Sequence, residues 1–163
     1  MGTRGVIVGR VVKVRDHPNG SRIWLADVDL GRGGDPVQIV FGGKRVIQPN
    51  SLVPVAPPGS RLHGVKMRKR SYRGEASHGM LCSLAELGWD PAVTDQVARL
   101  DPSAHLEPGT RIDDRANDWD SIILNPRAQR ASGLLTATRQ VLSGEWHIGK
   151  RGVLRRRRVR QGA

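Results

Sequence analysis

Gly5-Val-Ile-Val-Gly-Arg-Val-Val-Lys-Val-Arg15 is a β-branched run that ends in alternation, the pattern of a strand. The six residues that follow, Asp16-His17-Pro18-Asn19-Gly20-Ser21, are dense in turn formers, and Asn19-Gly20 is a strong short-range turn signal. Residues 22–30 read as a second strand closed by the Gly31 to Pro36 loop, and residues 37–41 as a third stopped by Gly42-Gly43. Three short strands with turns between them predict a meander. Leu52-Val53-Pro54-Val55-Ala56 is a fourth strand, which Pro54 assigns to an edge or a bulge because proline cannot donate to a ladder. Pro57-Pro58-Gly59-Ser60 turns the chain toward a fifth, Lys66 to Arg73, with little apolar content on either face. Short strands at regular intervals with glycine-rich turns predict an all-β protein built on a small closed barrel.

Helices are few and have recognisable ends. Ser83-Leu84-Ala85-Glu86 is a capping box, and Gly88 stops that short helix after about one turn. Asn125-Pro126 offers a second start, after which Ala128, Ala131, Leu135, Thr138 and Leu142 keep helical spacing as far as Gly144. This predicts an amphipathic helix near 126–143. Residues 90–120 are acidic and rich in Asp and Pro, and predict an irregular wrap anchored by Ile112 and Trp119, with one short strand at 121–124. The last fourteen residues carry too little apolar surface to order themselves without a partner.

With 163 residues the chain is long enough for one domain with an appendage. No apolar run reaches the length of a membrane span, and the first residues lack the pattern of a signal peptide, so a cytoplasmic protein without a membrane partner is expected. The single Cys82 excludes an intramolecular disulfide and a cysteine-rich zinc site. The net charge of +12 is concentrated. Residues 61–75 hold six basic side chains against Glu75, residues 150–163 hold seven against none, and the remainder is balanced. Placed charge of this kind suits a polyanion, although an anionic membrane or an acidic protein would respond to the same field.

At Arg73-Gly74-Glu75-Ala76-Ser77-His78-Gly79-Met80-Leu81-Cys82-Ser83, followed by Glu86-Leu87-Gly88, the chain resembles the N-terminal tRNA-binding domain of the bacterial phenylalanyl-tRNA synthetase beta subunit. His17-Pro18-Asn19, Gln38-Ile39-Val40-Phe41-Gly42, and Val53-Pro54-Val55-Ala56 with Pro58-Gly59 agree in order. A weaker likeness continues through Asp120 to Arg127 and Ser132-Gly133. Gly20-Ser21, Phe41 and Gly43 depart from the usual residues of that family. The resemblance implies a five-stranded OB-fold barrel over residues 1–89, with a short capping helix. Residues 90–149 then form a C-terminal α-helical extension wrapping the barrel, and 150–163 a disordered basic tail. It further implies a free-standing relative of the domain that binds tRNA without catalysis.

In this family the implied RNA contacts lie around the fifth strand and its following turn, here Lys66, Arg68, Arg70, Arg73, Ser77 and Met80. Arg73 suits a phosphate contact because a planar guanidinium matches phosphate oxygens, and its structural alternative is an ion pair with Glu75 or Glu86. Lys66, Arg68 and Arg70 share one face if the strand period of two holds. Ser77 is placed either to hold the turn or to donate to a phosphate, and Met80 and Cys82 suit buried packing. Asn19 belongs mainly to the first hairpin turn, with Arg22 beside it as a further RNA contact. His17 and His78 read as loop or core histidines, since neither has the partners of a catalyst or metal ligand.

No phosphate loop, nucleophile elbow or zinc signature occurs, so neither a cofactor, a metal nor a catalytic residue is expected. The leading expectation is a tRNA-binding protein recognising shape and backbone. The alternatives are a dimeric interaction or chaperone-like module, since free-standing members of the wider family form homodimers, and an accessory factor that delivers tRNA to an aminoacyl-tRNA-using enzyme.

Overall fold

The computed structural model describes residues 2–124 and the backbone of two short strands beyond them. The first strands form the predicted meander: β1 (Ile7–Asp16), β2 (Ile23–Asp29) and β3 (Val37–Gly42) pair antiparallel in sequence order. β4 (Leu52–Ala56) lies on the other side of β1. Two small hairpins follow, β5 (Arg61–Leu62) with β6 (Val65–Lys66) and β7 (Arg70–Tyr72) with β8 (Glu75–Ser77). β9 (Met80–Leu81) then completes a five-stranded antiparallel sheet of order β3-β2-β1-β4-β9.

β1 serves two neighbours because it bends. Its first residues pair with β4 and its last with β2, and the register to β2 shifts between Val11 and Lys13. A bulge there increases the local twist and lets one strand run through both halves of a curled sheet. Gly9 sits inside the curl, where a Cβ would lie 2.6 Å from Val28 and 2.7 Å from Val55. Only the absent side chain lets β2 and β4 approach there.

Both faces of β4 and of the start of β1 are covered, which explains the apolar runs at 52–56 and 6–8. Ile7, Val11, Val53 and Val55 point into one cluster with Ile39, Phe41 and Leu81. Val6, Val8, Leu52 and Ala56 point the other way, into a cluster with Leu84, Leu100, Ile112, Ile122 and Ile123. Residues of the acidic segment after residue 90 thus pack on the outer face of the sheet. Each buried Ile or Leu contributes roughly 1.5–3 kcal/mol, enough to hold a segment whose ladder bonds are isolated bridges such as Leu52↔Leu100. Ile112 is 1% exposed, and the half-buried Trp119 stacks on Trp89 at 6.4 Å.

Several expectations are corrected. The strand read as continuous from Lys66 to Arg73 is broken at residues 67–69 and divided between β6 and β7. The fifth strand of the sheet is β9 instead. The cause is two X-Gly pairs, His63-Gly64 and Arg73-Gly74, whose positive φ values of 49° and 85°, and 49° and 89°, close two-residue hairpin turns. Pro54 is neither at an edge nor on a bulge. It pairs opposite Val8 in a strand flanked on both sides, and Val8 donates its N–H to the Thr110 carbonyl and accepts the Gly109 N–H. On the β9 side the Pro54 carbonyl accepts the Cys82 N–H at 3.0 Å, and the Cys82 carbonyl accepts the Ala98 N–H at 2.9 Å, so the missing N–H of Pro54 strands no acceptor there.

The barrel is not closed by a ladder. β3 and β9 leave a seam bridged by the His78 N–H donating to the Gln38 carbonyl at 2.9 Å and the Val40 N–H donating to Ser77 Oγ at 2.9 Å. The capping box forms, with Ser83 N–H to Glu86 Oε2 at 2.7 Å and Glu86 N–H to Ser83 Oγ at 3.1 Å, but it starts only a hydrogen-bonded turn. Gly88, with φ of 75°, ends it as bonds run from Trp89 N–H to Leu84 and from Gly88 N–H to Ala85. In place of a strand at 121–124, a 3-10 turn spans Trp119–Ser121 and Ile123 makes one bridge to Leu100. The helix expected near 126–143 lies outside the described residues. Within the basic tail, β11 (Leu154–Arg156) pairs antiparallel with β10 (Trp146–Ile148).

Burial, with Glu86 nearby as a smaller contribution, holds the Cys82 thiol well above its usual pKa. Cys82 should therefore resist a disulfide exchange reagent at pH 8 in the native protein and react fully once the chain unfolds, whereas rapid native labelling would contradict its burial. The folded state keeps a proton that the unfolded thiol loses above about pH 8.5. Its contribution to stability is thus complete below that pH and is lost as pH rises toward the folded value.

Candidate nucleic-acid interface

The hairpin β7–β8 stands out from the sheet, and three polar side chains from the meander fix it. His17, which is buried, accepts the Asn19 N–H at Nδ1 (3.0 Å), so Nε2 carries the proton and donates it to the Tyr72 carbonyl at 2.8 Å. Asn19 and Arg73 are joined twice: Asn19 Nδ2 donates to the Arg73 carbonyl at 3.2 Å, and Arg73 donates to the Asn19 carbonyl at 3.0 Å. Gln38 donates to Glu75 Oε2 at 3.0 Å and to the Ala76 carbonyl at 2.8 Å, while its oxygen accepts from Arg15. Arg15 is held in turn by Asp27 at 2.8 Å. Every member of this chain has a partner, so the hairpin is positioned at both its turn and its base.

Asn19 is engaged in the clamp with Arg73, and the other predicted contact residues divide into two sets. Lys66, Arg68, Arg70, Arg73 and Arg22 are exposed, and none of them forms an ion pair among the described residues. Arg68 and Arg70 flank Lys69, another exposed cation, which gives an unbroken basic track into the hairpin. Lys66 lies in the preceding hairpin, so the predicted common face for Lys66, Arg68 and Arg70 does not exist as one strand face. The ion pair weighed for Arg73 is also absent: Glu75 is taken by Gln38 and Glu86 by the Ser83 N–H. Arg22 and Arg73 both occupy left-handed backbone, at φ of 57° and 49°. Bulky residues in that region are uncommon, and the strain is held at the two turns that face each other.

Ser77 and Met80 belong to the second set. Ser77 is 1% exposed, accepts from Val40 and donates its single proton to the Gly79 carbonyl at 2.9 Å. Its hydroxyl holds the turn, which removes it from the proposed phosphate contacts. Met80 is half-buried and packs against the outer core cluster, in keeping with its packing role. It also lines a cleft of about 390 Å³ in the seam between β3 and β9, with Ile23, Phe41, Tyr72 and Gln96.

Tyr72 was not among the contacts the sequence suggested. Its side chain is 46% exposed at the mouth of this cleft, beside the basic track, and Gln96 Nε2 is buried within reach of the lining without a hydrogen-bond partner. An aromatic face next to guanidinium groups is the combination that stacks an unpaired base and holds its backbone. The signal in the sequence was the single tyrosine inside the charged run. His78 is half-buried with its ring against the Gln38 carbonyl at 3.3 Å, and His17 is committed to the hairpin, as the reading of both as structural histidines implies. No group of three or more His, Cys, Asp or Glu among the described residues could hold a metal ion. No described helix is long and apolar enough to cross a membrane.

Comparison with known proteins finds a family match and similar chains. Residues 6–111 match the family described as "Putative tRNA binding domain". The chain is 45% identical over 123 residues to the phenylalanine–tRNA ligase beta subunit of Symbiobacterium thermophilum, covering 72% of this chain and 13% of that subunit. It is 38% identical over 100 residues to the same subunit of Helicobacter pylori, covering 61% of this chain and 13% of the subunit. The C-terminal domain of Plasmodium vivax p43 aligns with a TM-score of 0.46 and 23% identity, covering 64% of this chain and 56% of that one. The chain thus spans about an eighth of the length of these ligase subunits.

Proposed function

Because the chain belongs to the tRNA-binding domain family over residues 6–111, we propose that it binds tRNA through the β7–β8 hairpin and the cationic track leading into it. The observation that carries this reading is the set of exposed, carboxylate-free cations at Arg68, Lys69, Arg70 and Arg22 around a hairpin held by the buried His17 and the half-buried Gln38. A rigid support matters because a cation already positioned loses less freedom when it meets a phosphate. Recognition is by backbone and shape, with Tyr72 stacking one unpaired base at the seam. We read the curled five-stranded sheet as an OB-fold barrel, a fold that places single-stranded segments across such a face. The role is recognition without catalysis, carried out in the cytoplasm where tRNA is used. Delivery of tRNA to an aminoacyl-tRNA-using enzyme fits the same surface.

The experiment is a titration of tRNA against the full chain at several salt concentrations. Log affinity should fall linearly with log salt, by roughly 0.7–0.9 for each neutralised phosphate. The same titration on a chain lacking residues 150–163 should lower affinity but retain a salt-dependent component from the hairpin. Complete loss on truncation would assign binding to the tail alone and refute the hairpin site.

A further inference from the structure

A second cluster of cations lies away from the hairpin. Arg4, Arg32, Arg61, Lys66 and Arg111 line an open cleft of about 500 Å³ whose wall is the Pro57–Gly59 turn. Arg4 precedes β1 and Asn19 follows it, so the cleft and the Asn19–Arg73 clamp sit toward opposite ends of that strand. The arrangement within the cleft is unusual. Arg4 and Arg61 are bridge partners that exchange backbone bonds of 2.8 and 2.7 Å, and Arg61 is in turn the direct register partner of Lys66. Three like charges therefore stand side by side across adjacent backbone segments, where cross-strand neighbours of the same sign repel.

Among the described residues, nothing nearby relieves the repulsion in full. Asp113 pairs with Arg111 at 3.0 Å, but its two oxygens also accept the Gly5 and Val6 N–H groups at 2.9 and 2.7 Å. Arg61 donates to the Gly64 carbonyl at 3.1 Å, a neutral partner. Arg4, Arg32 and Lys66 make no ion pair among the described residues. Guanidinium forks with an ammonium beside them are the donor set that phosphate oxygens match, and clustered phosphates would convert the repulsion into binding free energy.

We infer that this cleft is a second phosphate-binding site, which takes consecutive phosphates of the RNA backbone while the hairpin holds another part of the same molecule. The inference rests on the proposal that the chain binds tRNA. Lys66 then belongs functionally to the cleft and not to the hairpin, and Arg68 and Lys69 form the link between the two.

The test compares two double variants of the full chain, Arg61→Gln with Lys66→Gln in the cleft and Arg68→Ala with Arg70→Ala on the track. All four side chains are exposed, so both variants should keep the native circular dichroism spectrum, and an Arg61→Lys with Lys66→Arg exchange controls for charge alone. The cleft variant should lower the salt slope for tRNA by about two, one per lost phosphate contact. Its melting temperature without RNA should rise as the repulsion is removed. Inorganic tripolyphosphate should raise the melting temperature of the native chain and of the exchange control more than that of the cleft variant. A cleft variant with native tRNA affinity and slope overturns the inference, and if the track variant has meanwhile lost affinity the proposed function survives without it. Loss of tripolyphosphate binding with tRNA binding unchanged would also overturn it, by assigning the cleft to a free phosphate compound. If the native chain bound no tRNA at all, the proposed function would fail and this inference with it.

Discussion

Alanine at both Arg68 and Arg70 leaves the melting temperature of the protein unchanged and cuts tRNA affinity by about sixtyfold at 0.1 M salt. That factor takes a slope of roughly 0.9 per phosphate for two contacts, with affinities converging near 1 M. Stability is spared because both side chains are exposed and neither forms an ion pair among the described residues. The backbone that carries them is held by other groups, through His17 on the Tyr72 carbonyl and Gln38 on the Ala76 carbonyl. Arg73 is a poorer choice for this experiment. Its side chain also ties the hairpin to Asn19, so a loss there mixes positioning with contact. Fluorescence anisotropy with labelled tRNA at four salt concentrations reads both intercept and slope, and an unchanged slope would remove this track from the interface.

Gly79→Ala should destabilise the protein by about 3 kcal/mol, as a left-handed alanine and a backbone clash add together. The residue has φ of 111°, and a Cβ would lie 2.4 Å from the Ala56 carbonyl oxygen. Neither neighbour can yield easily, because Ala56 is a β4 residue paired with Met80 across the ladder to β9. At about 2–4 °C per kcal/mol for a chain of this size, the melting temperature falls by roughly 6–12 °C. Thermal unfolding followed by circular dichroism measures it. A shift under about 2 °C would mean that the turn can relax without breaking β9 from β4. Binding by the folded fraction should persist, since Arg68 in the link before β7 and Arg70 in β7 are not part of the turn at Gly79.

Much of the fold was legible because strand patterns are local. The β-branched runs at 5–15, 22–30 and 37–41 mapped onto the meander, and the turn at Asn19-Gly20 fell between β1 and β2. The capping box was legible for the same reason, since its hydrogen bonds join residues three apart. The charged run misled the reading of the fifth strand. Its cations drew attention to binding, whereas the chain path was set by His63-Gly64 and Arg73-Gly74, which fold it back twice. Pro54 misled for a complementary reason. Whether a missing N–H matters depends on where the ladder to the next strand ends, and that is a property of two segments and not of one.

The residues of the candidate site divide along the same line. Composition and order in the chain determined that positive charge is gathered between residues 61 and 75 and that the likeness to tRNA-binding domains centres there. Side-chain type alone could not tell Ser77, whose proton is spent on Gly79, from a residue free to meet a phosphate. Nor could it separate Lys66 from Arg68, which lie two residues apart but in a hairpin strand and in the link that follows it. Arg4 and Arg61 are far apart in sequence, and only the bridge between them sets their charges beside Lys66. Sequence thus determined how much charge the protein carries and near which residues. The tertiary structure decided which charges are neighbours, because repulsion and phosphate binding depend on distances through space that the pairing of remote segments fixes.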